Sequence, residues 1–118
     1  MSPSQETADI ETSSPTYAGR FAGPAGEWML ARQAGLVLGF MKRHPGATVL
    51  DVGGGHGQLA IPLARAGHRV TVAGSDASCR QMIDDAVTRG EISFDVADLL
   101  DLPYADKQVD VVTCIRFL

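Results

Sequence analysis

Asp51, Gly53, Gly55 and Gly57 stand at alternate positions in the run Val49-Leu50-Asp51-Val52-Gly53-Gly54-Gly55-His56-Gly57. An apolar strand that meets a carboxylate and then glycine at every second position makes a turn that a ligand can approach at backbone distance. Glycine has no Cβ and adopts positive φ at little cost. A helix starting directly after the turn offers free N–H groups and a partial positive charge. A second carboxylate, Asp76, ends the apolar run Val70 to Ser75, about 20 residues beyond the turn, the spacing at which an acid meets a ribose in nucleotide-binding sheets. Asp76 can accept from both hydroxyls of a cis diol, and it suits equally well the N-cap of the helix that follows. A third, Asp98, follows Phe94-Asp95-Val96-Ala97. The glycine turn and Asp76 are chemistry for holding a nucleoside.

The dinucleotide fingerprint Gly-x-Gly-x-x-Gly requires glycine at position 58 when started from Gly53, and the chain has Gln58. A phosphate loop of the Gly-x-x-x-x-Gly-Lys-Ser/Thr type is absent. The turn resembles that of the class I S-adenosylmethionine-dependent methyltransferases, whose pattern Asp/Glu-x-Gly-x-Gly-x-Gly closes the first strand. Asp51, Gly53, Gly55 and Gly57 fill its four positions. The resemblance extends to Asp98 and Leu99, which it implies accept from the adenine amino group and cover the purine face. Leu102 to Val112 is similar to the family's Leu-Pro-Phe-x-Asp-x-x-Phe-Asp-x-Val run. It departs at Val109, where an aromatic is usual, and that departure bears on packing.

At the end of the fourth strand the resemblance implies that the backbone of Ile115 meets the amino group of the cofactor. Asp76 takes the ribose. The implied activity is transfer of the sulfonium methyl to an oxygen, nitrogen or carbon nucleophile of a small molecule, releasing S-adenosylhomocysteine. Holding donor and acceptor in line can contribute roughly 7–11 kcal/mol of barrier reduction. The residues assign no general base. Tyr17 and Arg20 fall where related enzymes fold a lid. His56 reads as a loop residue and Asp95, Asp101 and Asp106 as surface charges, while Arg116, beside Ile115, could instead orient an anionic substrate. His44 and His68 are far apart and no Cys/His spacing resembles a metal site, so no metal is expected.

These side chains need a parallel sheet to bring them together, and the chain alternates accordingly. Thr48 to Val52 reads as a strand, Gln58 to Ala66 as a helix and Arg69 to Ser75 as a strand. A helix follows, capped by Ser78 and Gln81 and striped by Cys79, Met82, Ile83, Ala86 and Val87. Ile92 to Val96 and Val109 to Ile115 read as the third and fourth strands. Before them a helix from Glu27 to Arg43 places Trp28, Ala31, Gly35, Leu38 and Met41 or Phe40 near one face, and Pro45-Gly46 stops it. The order predicts an α/β, Rossmann-like, doubly wound parallel sheet of about four strands with flanking helices. Residues 1 to about 16, rich in Ser, Thr, Pro, Gln and Glu, read as a disordered tail. The domain then runs from 17 to 118.

The 118 residues amount to one domain at most, 45% hydrophobic and 20% charged, as in ordinary globular chains. A net charge of −4 gives no electrostatic reason to expect nucleic acid. The helix with Gly35 and Gly39 carries four charged residues and is too short to span a membrane. Cys79 and Cys114 read as buried core thiols. With no apolar leader at the start, the expected setting is cytoplasmic. The resembling family has seven strands, so the chain reads as truncated after its fourth. That leaves an apolar strand edge for a missing C-terminal half or a homodimer to cover. Two alternatives to a methyltransferase stay open, a non-catalytic cofactor-binding fragment and an NAD-dependent oxidoreductase.

Overall fold

The computed structural model describes residues 8–104 and 108–114. Four strands form along β-branched and apolar runs: β1 at Thr48–Val52, β2 at Arg69–Gly74, β3 at Ser93–Val96 and β4 at Val111–Thr113. They make one parallel sheet in the order β3-β2-β1-β4. The helices are α1 (Ala8–Thr12), α2 (Pro15–Ala18), α3 (Pro24–Met41), α4 (Ala60–Arg65) and α5 (Asp84–Thr88). This is the Rossmann-like α/β sheet that the alternation of elements predicts, and β1 keeps the predicted bounds.

Side chains alternate across a strand, and both faces of the sheet are apolar, as parallel strands covered on two sides require. Val49, Val70 and Val72 join Met41, Leu63, Ile83 and Ala86 in one core cluster, under the helices. Leu50, Val52 and Ala73 join Leu99 in a second cluster, packed by Leu102, Tyr104 and Val109. Val109, standing where an aromatic is usual, therefore does pack the sheet. Asp110 fastens the entry to β4: its carboxylate accepts from the Thr48 N–H at 2.9 Å, and its own N–H donates to the Thr48 carbonyl.

Several local expectations are corrected. Residues 8–16 carry α1 and the start of α2, with Asp9 and Ser13 fully buried, where composition predicts a disordered tail. The Asp9 carboxylate orders there because it finds buried donors on Ser75 and Cys79, and Ser13 because it packs against Gly55, neither of which composition can register. The Ser78 capping box is absent: Asp76 caps first, accepting from the Ser78 N–H, and starts a 3-10 turn at Ala77–Arg80. The helix resumes only at Asp84, so Cys79, Ile83 and Ala86 keep the buried stripe while Met82 turns outward. Trp28 is 67% exposed. An 18-residue helix is about 27 Å long and overhangs a five-residue strand of about 17 Å. Only the C-terminal half of α3, through Val37, Leu38 and Met41, packs on the core.

Cys114 is exposed, just past the last residue of the edge strand β4. Leu36, Phe40 and Val112 are also exposed along that edge, around a groove floored by Met41 and Val111. Ile115, Arg116, Phe117 and Asp106 lie outside the described residues. Among the described residues no helix is long and apolar enough to cross a membrane.

Candidate functional site

The glycine turn continues β1 past its last residue. The Gly53 N–H donates to the Ala73 carbonyl at 2.9 Å, extending the β1–β2 ladder by one bond, and the Gly57 N–H donates to the Gly54 carbonyl at 3.1 Å. Gly53 and Gly57 hold φ of 73° and 71°, the left-handed region that other residues enter only at a cost. Gly55 is needed for space: a Cβ there would strike Ser13 and stand 2.6 Å from the Cys79 carbonyl oxygen. The Ile61 N–H donates to the Gly57 carbonyl at 3.1 Å, which leads the chain into α4.

Beneath the turn lies Asp51, 3% exposed. Its Oδ1 accepts from Thr113 Oγ at 2.8 Å, and Thr113 is its register partner on β4. A Cβ on Gly54 would land on the Asp51 carboxylate, so the turn is shaped around that group. Tyr17, Leu30, Gln33, Asp51, Gly53 and His56 line a cleft at this point. His56 is buried where the sequence suggests an ordinary loop position, its ring 5.5 Å from that of Tyr17 and 6.4 Å from that of Phe21. The Arg20 guanidinium stands 4.9 Å from the Tyr17 ring centroid, within cation–π range.

Asp76 is exposed at the end of β2, and hydrogen bonds from Ser78 hold its carboxyl below the usual carboxylate range. It is therefore an ionised, acceptor-only group at neutral pH, with lone pairs for more than one donor. Asp98 follows β3, where the Ala97 N–H still donates to the Gly74 carbonyl at 2.8 Å. Its Oδ1 accepts from the Leu100 N–H at 3.0 Å. Leu99 is 8% exposed and packs in the second core cluster. Since β3, β2 and β1 are adjacent and parallel, about 4.8 Å apart, Asp98, Asp76 and Gly53 share the carboxyl edge of the sheet. Asp95, exposed on β3, accepts from the Tyr104 hydroxyl at 2.6 Å. Burial, reinforced by Asp95, pushes the Tyr104 hydroxyl pKa up.

Four residues at this edge belong to no motif. Thr113 leaves a trace, a polar side chain in an apolar run, but its partner is set by register. Asp9, Ser13 and Ser75 leave none. The Asp9 carboxylate is fully buried, accepting from the Ser75 N–H at 2.7 Å, from the Ser75 hydroxyl and from the Cys79 thiol at 3.1 Å. Burial, then Asp9, pushes the Cys79 thiol up to about 11. The thiolate is the reactive form, so at pH 8 Cys79 is held almost wholly as the unreactive thiol. Iodoacetamide at pH 8 should therefore label exposed Cys114 well before Cys79, and both at similar rates in denaturant, as peptide mass spectrometry will read. A folded-state value raised in this way favours the fold while the thiol is protonated. That contribution is lost as pH climbs from about 9 through about 11.

Residues 49–118 match a family model described as a methyltransferase domain. A demethylmenaquinone methyltransferase of Deinococcus radiodurans is 40% identical over 76 residues, covering 60% of this chain and 31% of that protein. Among solved structures, the [4+2]-cyclase SpnF superposes with a TM-score of 0.59 at 30% identity, over 69% of this chain and 32% of that one. Coclaurine N-methyltransferase, bound to N-methylheliamine and S-adenosylhomocysteine, superposes with a TM-score of 0.60 at 22% identity, over 72% of this chain and 26% of that one. That last likeness is one of fold. The chain spans about a third of the length of the curated relatives it matches.

Proposed function

This chain belongs to the class I S-adenosylmethionine-dependent methyltransferases, and from that premise we propose that it binds S-adenosylmethionine along the carboxyl edge of its sheet. The whole protein then transfers the methyl group to an oxygen, nitrogen or carbon of a small molecule and releases S-adenosylhomocysteine. One observation carries the reading: three adjacent parallel strands bring the glycine turn, Asp76 and Asp98 to one edge. The residues fit the cofactor. Asp76, ionised and exposed, is a bidentate acceptor for the ribose diol, and Asp98 an acceptor for the adenine amino group. Gly53 and Gly55 let the backbone come close, and Asp51 sets the shape of the turn. Ile115 belongs to the same proposal.

When bound, the cofactor supplies an already activated methyl group. What this chain's residues do is hold and orient it, the entropic part of catalysis. A small-molecule acceptor is supported by the relative named for demethylmenaquinone. The exposed row of Leu36, Phe40 and Val112 beside β4 supports a cover over that edge, either further strands of the family fold or a second copy. A cytoplasmic setting goes with two free thiols. The likeness to a [4+2]-cyclase favours a second reading, in which the domain holds the cofactor without methyl transfer.

Calorimetric titration of S-adenosylhomocysteine and of NAD into the purified chain tests the cofactor. S-adenosylhomocysteine should bind saturably, and Asp76→Ala should weaken it tenfold to about a hundredfold. A hydrogen bond to a charged group contributes about 1.5–3 kcal/mol. Preference for NAD would make the domain an oxidoreductase instead. Binding of S-adenosylmethionine by the whole protein without formation of S-adenosylhomocysteine, across acceptors, would favour the second reading.

A further inference from the structure

We propose that residues 8–18 form a strap seated on the nucleoside end of the carboxyl edge, and that this strap must leave before the cofactor binds. The proposal rests on the cofactor reading above. Asp9, Ser13 and Tyr17 seat the strap on this edge. The Asp9 carboxylate receives the N–H and hydroxyl of Ser75 and the thiol of Cys79, one residue before and three residues after Asp76. Ser13, fully buried, fills the space against Gly55 that a Cβ would need. The Tyr17 ring meets the His56 ring at a tilt, 5.5 Å between centroids. The strap thus touches the end of β2 and two residues of the glycine turn. Ser13 and Asp9 cover Gly55, Ser75 and Cys79, the ground between the glycine turn and Asp76 that a nucleoside reaching both would cross.

The same contacts make release feasible. A buried carboxylate is tolerated only when its lone pairs are satisfied, and Asp9 has three donors, so the seated state is self-consistent. Yet α1 and α2 are five and four residues long, far too short to persist alone in water. Their order depends on where Asp9 and Ser13 sit. The strap is therefore a two-state element, and a ligand that binds only the open state loses apparent affinity by the open fraction.

Two measurements on the 118-residue chain decide this. Calorimetry should give S-adenosylhomocysteine a dissociation constant about tenfold lower in Asp9→Ala than in the unsubstituted chain, as for a strap seated nine-tenths of the time. Hydrogen exchange on the unsubstituted chain should rise across residues 9–18 when S-adenosylhomocysteine is added, including the Ser13 and Ala18 amides that now bond to Asp9 and Ser14. Protection of these amides on binding would overturn the proposal whatever the affinity change, because the strap would then belong to the bound state. Weaker or unchanged binding by a folded Asp9→Ala chain would overturn it too. No binding by either form would remove the cofactor reading itself, and the strap with it.

Discussion

Replacing Gly57 with valine should lower the urea midpoint sharply, with a stability loss of about 2–5 kcal/mol at unchanged m-value. Two independent effects add. Gly57 holds φ of 71°, and a residue with a Cβ loses about 1–2 kcal/mol in the left-handed region, more when β-branched. Space is short as well. A Cβ at Gly57 would stand 2.7 Å from Ile83 Cγ2 and 2.9 Å from Ile61 Cδ1. Ile83 is 1% exposed, in the main core, so it yields only by disturbing its neighbours, at about 1–3 kcal/mol. Against a domain stability of about 5–15 kcal/mol, the substitution removes a large share. An unchanged midpoint would mean that the turn is held in some other conformation in solution.

That result would also explain why the turn was so legible. Asp51, Gly53, Gly55 and Gly57 are required by backbone geometry and close contact, and such requirements write themselves into residue type. The strands were legible for a similar reason. A parallel strand is apolar on both faces, and β1 and β2 announce this through Val49, Leu50, Val52, Val70 and Val72. What escaped were pairings between residues far apart in sequence. Asp9 looks like one more acid in a polar tail until Ser75, 66 positions away, proves to be its partner. Ser78 looks like a cap, and loses because Asp76, two residues earlier, is the stronger acceptor. Trp28 fits a helical stripe, but the stripe runs off the end of the sheet. Local chemistry was readable, whereas tertiary partnership was not.

Asp51 and Thr113 test a partnership of this kind, one that joins the glycine turn to β4. Asp51→Leu should destabilise the chain by about 2–6 kcal/mol and abolish S-adenosylhomocysteine binding. The Thr113 hydroxyl, half-buried, would lose the acceptor it now meets at 2.8 Å, at about 1–3 kcal/mol. The leucine methyl groups, bulkier than carboxylate oxygens, would also press on Gly54, where the carboxylate now fits closely, at about 1–3 kcal/mol. Asp51→Asn separates shape from charge: it keeps an acceptor for Thr113, so stability should fall by only about 1 kcal/mol. Thr113→Val completes a double-mutant cycle with Asp51→Leu, and chemical denaturation should give a coupling of about 1–3 kcal/mol. If the double substitution instead loses the sum of the two singles, the side chains act independently. β4 would then reach the turn only through its backbone ladder to β1, and the depth of Asp51 beneath Gly54 alone would account for its effect on binding.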